Sequence, residues 1–177
     1  MTVRFKCSKR SFTLFAALFL VIVLYGASRL YLLLGPREAH YVLTASTSLT
    51  EETLGGFQLG QRIDAIDPPP VPDTNNSVLD YYRYADGTTV AAEPGTPRVV
   101  RIILPSGSKA ALQTSKGIGI GDPAAKALAV YGDHYYRRSE QGAEIIGYID
   151  KLNHSTLEFW LDGDTVSMIR LDSDELK

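Results

Sequence analysis

The chain has 177 residues, of which 45% are hydrophobic and 21% are charged, with 15 glycines and 9 prolines. This composition excludes collagen-like, coiled-coil and strongly disordered chains, and the length allows one folded domain. The formal net charge of −2 is divided unevenly, because residues 1–35 carry five basic groups and no acidic one, whereas residues 36–177 carry 13 basic and 20 acidic groups. An acidic domain lacks the clustered Lys and Arg that replace phosphate counterions, so nucleic acid is excluded as a partner.

The first strong pattern is an apolar segment near the N-terminus. Residues 11–28 contain no charged side chain, and a helix of this length rises ~27 Å, close to the ~30 Å hydrocarbon core of a bilayer. A leucine-rich run continues to Leu34, after which Gly35 and Pro36 are expected to end the helix. The sequence therefore predicts a transmembrane helix at 11–34 that contacts the membrane lipid bilayer.

The basic residues before this segment predict its orientation. Lys6, Lys9 and Arg10 precede the apolar run, and an excess of basic residues keeps a flank in the cytoplasm. The predicted organisation is a cytoplasmic flank at 1–10, the transmembrane helix, a tether at 35–54 and an extracytoplasmic domain at 55–177, in a single-pass protein of the cell membrane. A cleaved signal peptide is the alternative interpretation, because a basic start, an apolar stretch and small residues are also its ingredients.

The predicted outer domain contains two similar runs. Residues 55–60 and 117–122 both place two apolar residues two positions apart between glycines. After the second run, Asp122, Pro123 and Gly132 supply the start and stop signals of a helix at 123–131. After the first run, a proline stretch at 67–72 replaces the helix.

Strand patterns follow both runs. Period-two alternation predicts strands at 79–84 and 98–104 in the first half and at 145–149, 156–161 and 165–171 in the second. We therefore predict an α+β fold with an N-terminal transmembrane helix followed by a duplicated helix plus antiparallel β-meander domain, with copies at about 55–107 and 115–172. Neither copy offers enough apolar surface for a separate domain, so both are expected to share one core.

The order of these motifs resembles a known group of domains. The motifs are the Ile-Gly-Ile-Gly-Asp lead at 118–122, a helix that ends at Tyr131-Gly132, a Leu-Glu-Phe strand at 157–159 and a Val-Ser-x-Ile strand at 166–169. They are similar to small extracytoplasmic lipoproteins and membrane-anchored domains of Gram-positive bacteria, and to the SmpA/OmlA and β-lactamase-inhibitor-protein-like fold group. The resemblance implies a fold and no catalytic residue. The lipid-bearing cysteine of lipoproteins is missing, since the single cysteine, Cys7, precedes the apolar segment.

No motif in the sequence predicts a cofactor or a metal. The glycine run at 117–121 is followed by Asp122, where a phosphate-binding loop needs glycine or Lys. His40, His134 and His154 share no spacing that is typical of metal ligands.

Aromatic and basic side chains supply the candidate binding residues. Tyr82 and Tyr84 alternate along a predicted strand and therefore share one face. A second group directly follows the predicted helix and can contact an anion or a sugar ring. The candidate residues for ligand or partner binding are Tyr82, Tyr84, His134, Tyr135, Tyr136, Arg137 and Arg138.

These patterns favour a non-enzymatic, membrane-anchored protein of the cell envelope whose outer domain binds an envelope protein or a cell-wall component. The alternative is an extracytoplasmic hydrolase that acts on an envelope polymer, with its acidic side chains in a cleft between the two predicted copies. A cleft with two inward-facing carboxylates, or a carboxylate beside His134, would indicate the enzyme, whereas a flat aromatic sheet face would indicate binding.

Overall fold

The computed structural model describes residues 9–66, 71–75, 78–109 and 111–173. The chain divides into two compact units, Met1–Leu43 and Thr44–Lys177. Residues 1–8 of the predicted cytoplasmic flank and residues 67–70 of the proline stretch lie outside the described residues.

The first unit contains one helix, α1 (Lys9–Leu43), which continues through Gly35 and Pro36. Among the described residues, no helix combines the length and the hydropathy that are needed to cross a membrane. The predicted transmembrane helix at 11–34 is therefore wrong.

The described residues of the second unit form one antiparallel sheet with the strand order β1-β2-β3-β4-β8-β7-β6-β5. Helix α2 (Ala124–Tyr131) precedes β5, and a 3₁₀ turn (Ile63–Ala65) precedes β1. The strands are β1 (Val71–Asn75), β2 (Asp80–Arg83), β3 (Thr89–Ala92), β4 (Val99–Leu104), β5 (Tyr136–Glu140), β6 (Ala143–Asp150), β7 (Ser155–Asp162) and β8 (Thr165–Ser173).

The predicted duplication of a helix plus a meander is wrong. The first half has only the three-residue 3₁₀ turn where the second half has the eight-residue helix α2. The strands of both halves belong to one sheet, because β4 pairs with β8 from Arg101↔Asp172 to Leu104↔Ile169. The structure therefore contains one folded unit around a single sheet, Thr44–Lys177, instead of two copies at about 55–107 and 115–172. We call it the sheet unit. The expectation of a shared core is confirmed, since buried residues from both halves form one cluster.

Alternation along the strands gives the sheet two different faces. Leu157, Phe159 and Leu161 of β7 point into the main core, and α2 packs on the same face through Ala127 and Tyr131. Residues at the intervening positions occupy the opposite face. We call the first the core face and the second the ladder face.

Residues 44–54, which the sequence assigns to the tether, pack against the sheet unit. The backbone N–H of Thr47 donates to the carbonyl of Ile149 over 2.8 Å, and the N–H of Leu49 donates to Asp150 Oδ2 over 2.6 Å. Leu49 and Leu54 are buried in the main core. This segment is therefore part of the folded unit.

Candidate interaction face of the sheet

A row of charged side chains crosses the ladder face. Strand register brings its central members together, because Arg101 of β4 lies opposite Asp172 of β8, and Arg170 of β8 lies opposite Glu158 of β7. Arg138 reaches Glu158 from the edge strand β5 and also contacts Glu140. We call this row the charged ladder; it consists of Arg101, Asp172, Arg170, Glu158, Arg138 and Glu140.

Glu158 is the centre of the ladder and is 3% exposed. Its carboxylate accepts hydrogen bonds from the Tyr136 hydroxyl at 2.5 Å and from Arg138 Nε and Nη2 at 2.9 and 3.0 Å. It also accepts from Arg170 Nη2 at 2.7 Å and from the Trp160 indole N–H at 3.2 Å. Burial alone would raise the pKa of Glu158, but the hydrogen bonds from Arg138 and Tyr136 and the charge of Arg170 outweigh it and lower the pKa.

Asp172 organises the other half of the ladder. It accepts from Arg101 Nε at 2.7 Å and from Arg101 Nη2 at 3.2 Å, in a bidentate pair. Arg101 Nη1 also donates to the Tyr81 hydroxyl at 2.9 Å. Burial alone would lower the pKa of Arg101, but its hydrogen bond to Asp172 and the charge of Asp172 raise it, so Arg101 stays a cation.

The aromatic residues of the face lie against the ladder. The Trp160 ring has the Arg138 guanidinium 5.5 Å and the Arg170 guanidinium 5.4 Å from its centroid, both within the range of cation–π attraction. The Tyr136 ring lies across Gly147 of β6, at a position where a Cβ atom would overlap it. These contacts pack both aromatic residues into the face, where Trp160 and Tyr136 are each 8% exposed.

The central carboxylate of the ladder is neither a free acid nor a free base. A general acid or base needs a proton or a free lone pair near neutral pH. The Glu158 carboxylate has a lowered pKa and five donors, so it offers neither. The ladder face is lined by paired charges and aromatic rings.

The structure divides the candidate residues after α2 between the two sides of β5. Tyr136 and Arg138 join the ladder through Glu158. Arg137 is exposed, and its guanidinium lies 5.6 Å from the ring centroid of Tyr135. His134 is exposed in the turn before β5. The sequence cluster is thus not one site, because alternation sends neighbouring side chains in opposite directions.

Tyr82 and Tyr84 share one face, as their spacing predicts, and that face is the core face. Tyr84 is 7% exposed, and its ring lies 4.6 Å from that of Phe57. Burial and the charge of Asp86 raise the pKa of Tyr84 to about 12. Tyr82 is half-buried and packs against the same core, so both tyrosines lie away from the ladder.

The central residues of the ladder, Glu158 and Arg170, are not among the candidates that the sequence predicts. The available signal was charge at alternate positions of strongly apolar strands, as for Glu158 between Leu157 and Phe159 and for Arg170 between Ile169 and Leu171. Such a position faces away from the core and can pair with a neighbouring strand. Identifying the partner requires the strand register.

A separate concavity of about 300 Å³ lies at the end of the sheet. Its described lining includes Arg98, Asn153 and His154 and contains no carboxylate. The described residues also contain no group of three His, Cys, Asp or Glu side chains that could hold a metal ion.

Comparisons with known proteins find similarity to a solved structure but no match to a family model or a curated protein. Among solved structures, the chain is similar to an extracellular protein containing an SCP domain from Bacillus anthracis str. Ames, with a TM-score of 0.44 and 9% sequence identity. The similarity covers 66% of this chain and 44% of that chain. The chain thus spans less than half the length of that protein.

Proposed function

We propose that the unit Thr44–Lys177 is a non-catalytic binding domain of the cell envelope that presents its ladder face to another protein. The envelope setting rests on the resemblance of residues 115–172 to extracytoplasmic domains. The binding role rests on the composition and geometry of the ladder face.

The observation that carries the proposal is the set of Arg, Trp and Tyr side chains that contact one another on this face. These residue types dominate the binding energy of protein interfaces, where rigid aromatic rings and guanidinium groups are desolvated together. Ile103 and Met168 add half-buried apolar surface beside Arg170 and Trp160. Because α2 packs on the core face, it does not compete with a partner for the ladder face.

Site-specific photo-crosslinking tests this proposal in the full chain. A photoreactive phenylalanine analogue at Met168 reports contacts of the ladder face, and the same residue at Ala129, exposed on α2, is the matched control. In envelope fractions we expect one discrete protein adduct from position 168, suppressed by excess unlabelled chain, and none from position 129. Equal adducts at both positions, or no adduct at 168 in the folded chain, would overturn the proposal.

A further inference from the structure

We propose that the partner segment that binds the ladder face is acidic, and that its carboxylates accept hydrogen bonds from the outer N–H groups of Arg101, Arg138 and Arg170. This inference rests on the proposed function and specifies the chemistry of the partner. It follows from how charge and hydrogen-bond donors are distributed through the depth of the ladder.

The ladder is layered, with its central carboxylates below its guanidinium groups. The side chains of Glu158 and Asp172 are 4% and 2% exposed, whereas those of Arg101, Arg138 and Arg170 are 16–18% exposed. Formal charges within the ladder balance, but the atoms nearest the solvent at its centre are cationic. A partner therefore meets guanidinium groups over buried carboxylates at the centre of the ladder, whereas the Glu140 side chain at its edge is 42% exposed.

The guanidinium groups of the ladder also have more hydrogen-bond donors than its central carboxylate can accept. A guanidinium group has five N–H donors. Arg170 donates from Nη2 to Glu158, and its Nε lies 3.1 Å from Asp172 Oδ2 in an ion pair. Arg101 uses Nε, Nη1 and Nη2 once each. Because Glu158 already accepts five hydrogen bonds, the ladder has surplus donors and a saturated central acceptor.

The ligand that complements such a surface brings acceptors and negative charge. Carboxylates match the forked donors of Arg in a bidentate geometry. A long polyanion is disfavoured, because residues 36–177 carry seven more acidic than basic groups and repel it at long range. A short acidic protein segment contacts the three guanidinium groups without spanning the acidic remainder of the domain.

The chain contains a built-in probe for this test, since Trp160 is its only tryptophan and lies between Arg138 and Arg170. The probes are two synthetic decapeptides, one alternating Glu with Thr and the other alternating Gln with Thr. In the full chain at low ionic strength, we expect the Glu peptide to change Trp160 fluorescence saturably and the Gln peptide to have no effect. Added salt should weaken the binding, since exposed charges are screened.

Matched substitutions separate charge from shape at the ladder face. Met168 lies opposite Trp160 in the register and is half-buried outside the ladder. We expect Met168→Glu to weaken binding of the Glu peptide roughly tenfold and Met168→Lys to strengthen it several-fold, because each adds a unit charge near the guanidinium groups. Ala129→Glu makes the same charge change on α2 and should leave the affinity unchanged.

The outcomes distinguish this inference from the proposed function. Equal binding of the Gln peptide, no binding of the Glu peptide, or equal weakening by Met168→Lys and Met168→Glu would overturn the acidic partner. If the adduct from position 168 persists in any of those cases, the binding role survives and only the chemistry of the partner is wrong. If that adduct is also absent, both proposals fail.

Discussion

Gly147 shows how one residue makes room for the centre of the ladder. It lies between Tyr136 and Glu158 in the strand register, and a Cβ atom there would overlap the Tyr136 ring. The absence of a side chain lets the ring lie across β6 while its hydroxyl donates to Glu158. Glycine inside a strand often marks such a close approach.

We expect Gly147→Ala to destabilise the sheet unit by about 3 kcal/mol, because the added methyl displaces the Tyr136 ring and breaks its hydrogen bond to Glu158. Urea unfolding followed by Trp160 fluorescence measures this change. The control is Gly147→Ala in a Tyr136→Ala background. The Tyr136 ring is absent there, so the loss in free energy of unfolding should be smaller. An equal cost in both backgrounds would show that the ring is not the reason for the glycine.

Tyr82 of β2 and Tyr84, which directly follows it, show what the sequence can and cannot predict at the residue scale. Alternation correctly predicts that Tyr82 and Tyr84 share a face. It does not distinguish a core face from a partner-binding face, since Tyr is favoured on both. That choice depends on where Phe57 and the other core residues pack, which is a property of the tertiary structure.

At the scale of elements, the sequence predicts those helices and strands that have a clear local pattern. Helix α2 is confirmed within one residue, and β6, β7 and β8 contain the three predicted strands of the second half, because their apolar periods are long and bounded by turn residues. Strand β3 was not predicted because two of its four residues are alanine, which gives no alternating pattern, and β5 was not predicted because its sequence, Tyr-Arg-Arg-Ser-Glu, is polar. Strand β5 pairs along β6 and contributes Tyr136 and Arg138 to the ladder. It is therefore stabilised by its contacts with β6 and with Glu158 of β7.

The ladder couples the stability of the sheet to pH through Glu158. Its pKa in the folded chain is lower than the ordinary value of 4.5, so the folded state binds the proton more weakly than the unfolded chain does. The resulting stabilisation is fully present above the unfolded pKa and is lost as the pH falls through the folded pKa. The relevant pH range therefore lies below about 4.5.

We expect Glu158→Gln to cost about 3–5 kcal/mol at pH 7, because it leaves Arg138 and Arg170 without their shared buried carboxylate. The difference in free energy of unfolding between the native chain and the variant should shrink as the pH falls below about 4.5. Chemical denaturation between pH 2 and 7 measures both curves. Glu93→Gln changes an exposed carboxylate and should stay within about 0.5 kcal/mol of the native chain. A pH-independent difference for Glu158→Gln would contradict this role of its ionisation.

For the whole molecule, the sheet unit begins earlier in the chain than its sequence suggests. The Ser/Thr-rich composition of residues 44–54 is typical of a tether, but the compact unit starts at Thr44. Glu52 accepts hydrogen bonds from the Ser115 hydroxyl at 2.7 Å and from the Tyr131 hydroxyl at 2.9 Å. Composition hides this role, because a few buried contacts among many polar residues leave no periodic pattern.

We therefore expect a chain that begins at Thr44 to keep the cooperative unfolding of the sheet unit, and a chain that begins at Gly56 to lose about 5 kcal/mol of stability. The shorter chain lacks the buried side chains of Leu49 and Leu54, worth about 2 kcal/mol each, and leaves the Tyr131 hydroxyl without Glu52. Urea unfolding followed by Trp160 fluorescence compares the two. Leu49→Ala in the longer chain should fall between them, with a loss of about 2–3 kcal/mol. Equal midpoints for the two truncated chains would show that residues 44–55 act as a tether after all.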